Sequence, residues 1–425
     1  MKKIIIAAVI AVLVVAAYLG QVAYMGTLNQ KVFDIFSQPN DFVSVEDMKF
    51  EKGFFTSKAN FRLYIKTDAA DLFSFGLGQM PISVDVRFKN NVFARDNVII
   101  SIENPFFELL KDNFGEQMTM DKTLLNAKIS VSLFGNINTK TEFSDIDIQQ
   151  NELIIKLKKL SAESKMDLKG KIYGSKADLG ELFINVPNYY GADKIAIKNL
   201  HYDERLDKGV DFAEYVNQGF YSNKVKASIE QMQVYEISIT GIESNSQSST
   251  ENGLGKGSVN TSIKSISSPL LQIQFDNINS TLEMSNISLQ ALVYMQNLGE
   301  SADTLSDFNE FVRVFFDTNP SIELKSLTFK ANEKNVSSKG SLKGSSKEYS
   351  INFLVESEAT PSELVPPLQF LGIDQLFAQK DGKYILDFAL QSDFENIKMS
   401  LNGVDISGDE TSSIGESGDT PFAIQ

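Results

Sequence analysis

The chain has no cysteine, no tryptophan and one histidine among 425 residues. Without thiols there are no disulfides, no iron–sulfur ligands and no Cys-based zinc sites, so burial alone must hold the fold. A single histidine removes the typical zinc sets and leaves any serine–histidine or acid–base chemistry resting on His201. Basic residues are also short: 40 Lys and Arg stand against 55 Asp and Glu, a net charge of −15. Such a surface does not replace the counterions of a nucleic acid, nor does it cling to anionic headgroups by charge. It keeps a folded body dispersed by repulsion.

Charge is wholly missing between Lys3 and Lys31. The run from Ile4 to Leu19 is apolar, and the apolar character resumes through Val22 to Met25. That length matches the roughly 20 residues a helix needs to cross a bilayer. Ile4, Ile5, Ile6, Val9, Leu13, Val14, Val15 and Leu19 are the expected membrane-facing residues of an anchor over residues 1–25. Lys2 and Lys3 stay inside under the positive-inside rule. Val15-Ala16-Ala17 is a passable signal-peptidase site, but the apolar run extends beyond it, which favours an uncleaved anchor. The remainder is exported under either reading.

Beyond residue 40 period-two alternation dominates, the mark of half-buried strands. Ile82, Val84, Val86 and Phe88 alternate with Ser83, Asp85, Arg87 and Lys89. Similar runs include Phe61-Leu63-Ile65, Leu153-Ile155-Leu157, Ile351-Phe353-Val355 and Tyr384-Leu386-Phe388-Leu390. One-sided patterns of this kind predict antiparallel sheets. Asp381-Gly382 predicts a tight hairpin. The apolar phase slips between Ile322-Leu324 and Leu327-Phe329, which predicts a bulge.

Helices are predicted over 27–38, from Asn104-Pro105, over 209–220 and 289–316, at the Thr360-Pro361-Ser362-Glu363 capping box and from Pro366-Pro367. Ser244 to Ser258 is rich in Ser, Asn and Gly and reads as a loose boundary. The expected organisation is an anchor (1–25), a β-rich lobe (26–245), a second β-rich lobe (246–404) and a disordered acidic tail (405–425). The fold class is α+β, β-dominated: an N-terminal transmembrane helix, then large twisted antiparallel sheets packed by a few helices.

Candidate chemistry is sparse. His201 stands near Asp203, the one credible pair for a hydrolase, although a polar residue at a strand end explains His201 and a polar loop explains Asp203, Glu204 and Asp207. Gly253-Leu254-Gly255-Lys256-Gly257-Ser258 lacks the spacing of a P-loop and reads as a hairpin loop. Asp145 and Asp147 alternate with Ile146 and Ile148 as a solvated strand face. No catalytic, cofactor or metal residue is assigned. The distinctive feature is apolar bulk, with 31 Phe, on one side of the strands. It forms either a filled core or an open groove for an acyl chain.

Three segments together resemble the YdgA-like family of bacterial proteins of unknown function. They are the Lys-Lys run ending in Tyr24-Met25-Gly26, the stretch Phe50-Glu51-Lys52-Gly53-Phe54-Phe55-Thr56-Ser57-Lys58, and the ending Met399-Ser400-Leu401-Asn402-Gly403. Where that family often shows His-Gly-Pro-Phe, this chain has Glu103-Asn104-Pro105-Phe106. The resemblance implies a single-pass inner-membrane anchor and a periplasmic body in a Gram-negative bacterium. It brings no catalytic residues and no cofactor. By itself, Gly53 beside Phe54, Phe55 and Ser57 reads as a structural corner. The leading expectation is non-enzymatic binding of an apolar or lipid-like ligand, or of an envelope partner. The alternative is a scaffold with a filled core.

Overall fold

The computed structural model describes residues 21–31, 33–34, 43–65, 82–90, 97–104, 107–132, 134–188, 191–211, 214–215, 220–292, 311–393 and 396–407. The anchor residues Ile4 to Leu19 and the tail from 408 lie outside them. Among the described residues no helix is long and apolar enough to cross a membrane. The chain forms two compact units, 1–279 and 280–425.

In the first unit the helix α1 (21–31) precedes fifteen strands. These are β1 (Val43–Glu51), β2 (Thr56–Ile65), β3 (Ile82–Lys89), β4 (Val98–Glu103), β5 (Met118–Met120), β6 (Thr123–Val131) and β7 (Asn136–Phe143). Next come β8 (Ile146–Gln150), β9 (Leu153–Lys158), β10 (Ser161–Asp167), β11 (Lys171–Asn188), β12 (Gly191–Asp211), β13 (Asn223–Val234), β14 (Ile237–Glu251) and β15 (Leu254–Ser268). Every pairing among them is antiparallel, in the order β1-β2-β3-β4-β6-β7-β10-β11-β12-β13-β14-β15. Strands β8 and β9 continue β7 and β10 past a break, so β9 also pairs with β11. The short helix α2 (Phe107–Phe114) comes after β4.

The buried core sits at one end of this ladder. Met25, Leu28 and Phe33 of the N-terminal helical segment pack on Ala59, Phe61, Val84, Val86, Phe88, Val98 and Ile129. Phe33 meets the Phe50 ring at 5.4 Å and the Phe88 ring edge-on at 6.2 Å. Helix and sheet thus cover each other's apolar faces.

A strand β16 (Ile273–Ser288) contains the boundary between units. The second unit then pairs β17 (Ser321–Ala331), β18 (Lys334–Gly344), β19 (Tyr349–Ser357), β21 (Lys383–Ser392), β22 (Ile397–Leu401) and β23 (Val404–Asp405) in sequence, all antiparallel. The three-residue β20 (Ala378–Lys380) pairs with the start of β21. The predicted bulge is present, as register shifts between Leu324 and Leu327. Asp381 and Gly382 have φ of 52° and 76° and join β20 to β21, the left-handed pair that a tight hairpin requires. The capping box forms as predicted: Thr360 accepts from the Glu363 amide and Glu363 accepts from the Thr360 amide.

Several expectations are corrected. Ser244 to Ser258 is not loose: it forms most of the β14–β15 hairpin, turning at Asn252 and Gly253 with φ of 52° and 77°. Its Ser and Thr hydroxyls pair across strands, as Ser244 with Thr261 at 3.3 Å, so a polar composition is compatible with a strand. Gly209 to Asp211 belong to β12, paired with β11 through Asp211, while Glu214 and Tyr215 within the expected helix of 209–220 are helical. Residues 289–292 and 311–316 are helical, and 293–310 lie outside the described residues. Pro366–Leu371 winds as a 3-10 rather than an α-helix. Asp405 is in a strand and the Ser407 hydroxyl accepts from the Met399 amide at 2.8 Å, so residues 405–407 are ordered by pairing.

Candidate ligand-binding face

The first unit's sheet has one apolar side, and the register traces it beyond the core. A cross-strand row runs Phe61–Val84–Ile102–Leu125–Phe143. The neighbouring row runs Ala59–Val86–Ile100–Ala127–Thr141–Ala162–Ala177–Tyr202–Ala227. Residues opposite one another share a face. The side covered by α1 at one end is therefore the side that carries Tyr202, and hence Leu200, at the other.

Past the core this side bears several rows of large aliphatic residues, two of which flank a break in the register. One is Leu179–Leu200–Ile229–Ile242–Ile263; the other is Leu157–Leu182–Ile197–Met232–Ile239–Ile266. Apart from the buried Leu179, all are half-buried. On every strand the two rows are three residues apart, where simple alternation would send one of them to the opposite face. The ladder resolves this by skipping one residue per strand: Gly180, Asn199, Glu230, Gly241 and Lys264 have no partner in the register. Lys159, Asn199 and Gly241 take φ of 55°, 50° and 61° there. Asn and Gly tolerate that conformation. The skipped Asn199 donates its side-chain amide to the skipped Glu230. The aligned bulges form a crease across the strands that keeps both aliphatic rows on one side.

A polar cluster interrupts the same face one row beyond Tyr202. Glu204 is buried, and accepts from the hydroxyls of Tyr215 and Ser175 and from the Asn223 amide at 2.7 Å. A buried carboxylate is tolerated only when donors surround it. Burial, and then the hydrogen bond to Glu204, push the Tyr215 hydroxyl up to about 12. Tyr202 is raised further, by burial first and the Glu204 charge second.

The predicted residues fall elsewhere. His201 and Asp203 share the opposite, polar side, but His201 contacts Asp178 (Nδ1 to Oδ1, 2.6 Å). Asp203 is held by Lys176 and Arg205 at 3.3 and 3.4 Å, which lower its carboxyl against the opposing effect of burial. Ser228 lies opposite His201 on β13, so Asp, His and Ser stand side by side across three strands. Asp147 takes Gln149 and approaches Lys156, whereas Asp145 accepts from the Lys159 amide at the strand break, so the two do not form a site. Among the described residues no group of three His, Cys, Asp or Glu could hold a metal.

Several of the residues that carry the family resemblance lie at tight turns. Gly53 and Phe54 present their carbonyls to the Asn90 side-chain amide at 2.9 and 2.8 Å, and Phe55 accepts from the Asn90 backbone at 2.8 Å. Ser57 Oγ accepts from the Gly53 amide. A Cβ on Gly53 would stand 2.0 Å from the Thr56 oxygen, so the corner admits glycine alone. Gly26 of α1 lies against Asn90 from the other side. Asn402 and Gly403, with φ of 52° and 80°, make the two-residue turn between β22 and β23. Asn90, which brings two of these segments together, carries no signal in a single sequence.

Residues 1–390 match the family model described as a bacterial protein of unknown function (DUF945), and the chain belongs to that family. No curated protein and no solved structure matches it.

Proposed function

We propose that this member of the bacterial DUF945 family is a membrane-tethered envelope protein that holds an apolar, lipid-like ligand without catalysing a reaction. The observation that carries the reading is the continuity of the apolar side. It passes from the core beneath α1 into half-buried Leu and Ile rows that retain contact with solvent. An ordinary core covers such residues, and a broad apolar surface left partly open marks a ligand or partner site.

The tether is the charge-free run before Lys31, and the finer YdgA-like likeness of the quoted segments supports an inner-membrane anchor with a periplasmic body. The helix packed on the sheet belongs to the end of that run, so the apolar side lies close in sequence to the bilayer. The competing reading is a scaffold in which that side is filled by protein. Extraction of the full-length protein in mild detergent, then solvent extraction and lipid mass analysis, separates the two. The proposal expects a stoichiometric lipid; a protein free of lipid after gentle extraction supports the scaffold. A reporter fused at the C-terminus checks the topology, and a cytosolic signal would remove the envelope reading.

A further inference from the structure

The helix α1 enters the first unit over one end of its strands, and that end carries exposed aromatic rings. Gly26 lies against Asn90, just past the end of β3, and Asn29 donates to it. Phe33, about two helical turns on, reaches Phe88 and Phe61 inside the sheet. The chain therefore arrives from the Asn90 end. Three connections share that end. At the β1–β2 corner the Phe55 carbonyl accepts from the Asn90 amide. The β6–β7 turn begins at Ser132, beyond the Phe88–Val98–Ile129 row. In the β10–β11 turn Leu168 packs over Gly135 of the β6–β7 turn. Turn tips are ordinarily polar. Here Phe134 is 93% exposed, and Phe54 and Phe55, their rings edge-on at 4.9 Å, are 50% and 58% exposed. Tyr24 of α1 is also half-exposed. The opposite end, past the break where β5, β8 and β9 pair, is acidic: Glu108, Asp112, Glu116, Asp121 and Glu152 are all exposed there.

We propose that this end of the sheet docks on the bilayer, with Tyr24, Phe54, Phe55 and Phe134 set into the boundary between headgroups and acyl chains of the leaflet from which the chain emerges. The inference rests on the reading of the charge-free run as a membrane anchor and is independent of any ligand on the sheet face. Two observations select the bilayer as the occupant. The apolar run ends at Met25, and Met25 is a core residue, so no spacer separates the expected span from the sheet. The rings stand beside that point rather than across the molecule, because the Gly53 and Phe54 carbonyls accept from the Asn90 side-chain amide against which Gly26 is packed. Exposed apolar residues scattered singly are normal on a protein surface. Four aromatic rings gathered at the end where the chain arrives match the aromatic belt of a membrane interface. Exposed Lys52, Lys89 and Lys169 stand among these turns beside Glu51 and Asp167. This end therefore does not repel anionic headgroups, and the acidic end is held away from them.

The chain has no tryptophan, so a single introduced one reports its own depth without background. The test uses the full-length protein carrying Phe54→Trp, Phe134→Trp, Leu13→Trp or Glu152→Trp, each shown to be folded by circular dichroism. Each variant is reconstituted in phosphatidylcholine vesicles that are unlabelled, brominated on the acyl chains near the headgroup, or brominated deep in the acyl chains. Emission from Phe54→Trp and Phe134→Trp is expected to shift to shorter wavelength and to be quenched by the shallow bromines. Leu13→Trp is expected to be quenched by the deep ones, and Glu152→Trp by neither. Quenching of Leu13→Trp alone would keep the anchor and overturn the docking of the body. Glu152→Trp quenched as strongly as Phe134→Trp would show a body lying on the bilayer in another orientation, which also overturns it. No quenching at any position, Leu13→Trp included, would remove the anchor reading and this inference together.

Discussion

Asn29 of α1 donates its side-chain amide to the side-chain oxygen of Asn90 at 3.0 Å, and both residues are fully buried. Asn90 in turn donates to Gly53 and Phe54. One side chain thus fixes the N-terminal helix, the β1–β2 corner and the end of β3.

Asn90→Leu removes these bonds: the part-buried Gly53 and Phe54 carbonyls lose their donor, and the buried Asn29 amide keeps only the Lys89 carbonyl as acceptor. A buried polar group stripped of its partner costs about 1–3 kcal/mol. The variant is expected to unfold at least that much more easily in urea, whereas Thr27→Ala, exposed on the same helix, is expected to be neutral.

The Tyr215 hydroxyl supplies one of the donors that make Glu204 tolerable on an apolar face. Tyr215→Phe is expected to cost about 1.5–3 kcal/mol, the range for a hydrogen bond to a charged group. Replacing both residues, as Glu204→Leu with Tyr215→Phe, is expected to recover most of the loss, because no buried carboxylate is then left short of donors. Urea unfolding of the three variants measures this coupling. The raised Tyr215 group contributes stability that is complete below its ordinary value of 10 and is lost as pH rises through about 12.

In the second unit, hydrogen bonds from Lys325 and then Lys343 hold the Glu323 carboxyl down at about 2. A depressed carboxyl contributes stability that is present above its ordinary value of 4.5 and disappears as pH falls towards 2. Carbon-detected NMR titration is expected to place its midpoint near 2. Glu323→Gln is expected to lower the melting temperature slightly at pH 7 and not at pH 2, since exposed ion pairs are weak.

Much of this architecture was legible from residue order. Alternation predicted the strands, Asp381-Gly382 predicted its turn, and the slip between Leu324 and Leu327 predicted its bulge. The same slip stands at Leu179/Leu182, Ile197/Leu200, Ile229/Met232, Ile239/Ile242 and Ile263/Ile266. Each instance alone reads as noise in a strand, and only the register shows that they align into one crease. Composition misled at Ser244 to Ser258, because hydroxyls that satisfy one another across strands look the same in sequence as hydroxyls in a loop. His201 drew attention for its rarity, yet its neighbour Asp178 is 23 residues away in the chain and adjacent only through pairing. Glu204 and Asn90 had no local signal: what distinguishes them is burial among donors and carbonyls brought from other strands.

The central claim is that lipid occupies the surface formed by the aliphatic rows. Native mass spectrometry of the full-length protein, beside an Ile229→Asn/Ile242→Asn variant shown to be folded, tests this most directly. A bound species of phospholipid mass is predicted on the wild-type chain, with its loss from the variant. A wild-type spectrum with the bare polypeptide mass alone, or a variant that keeps its lipid, would contradict the claim.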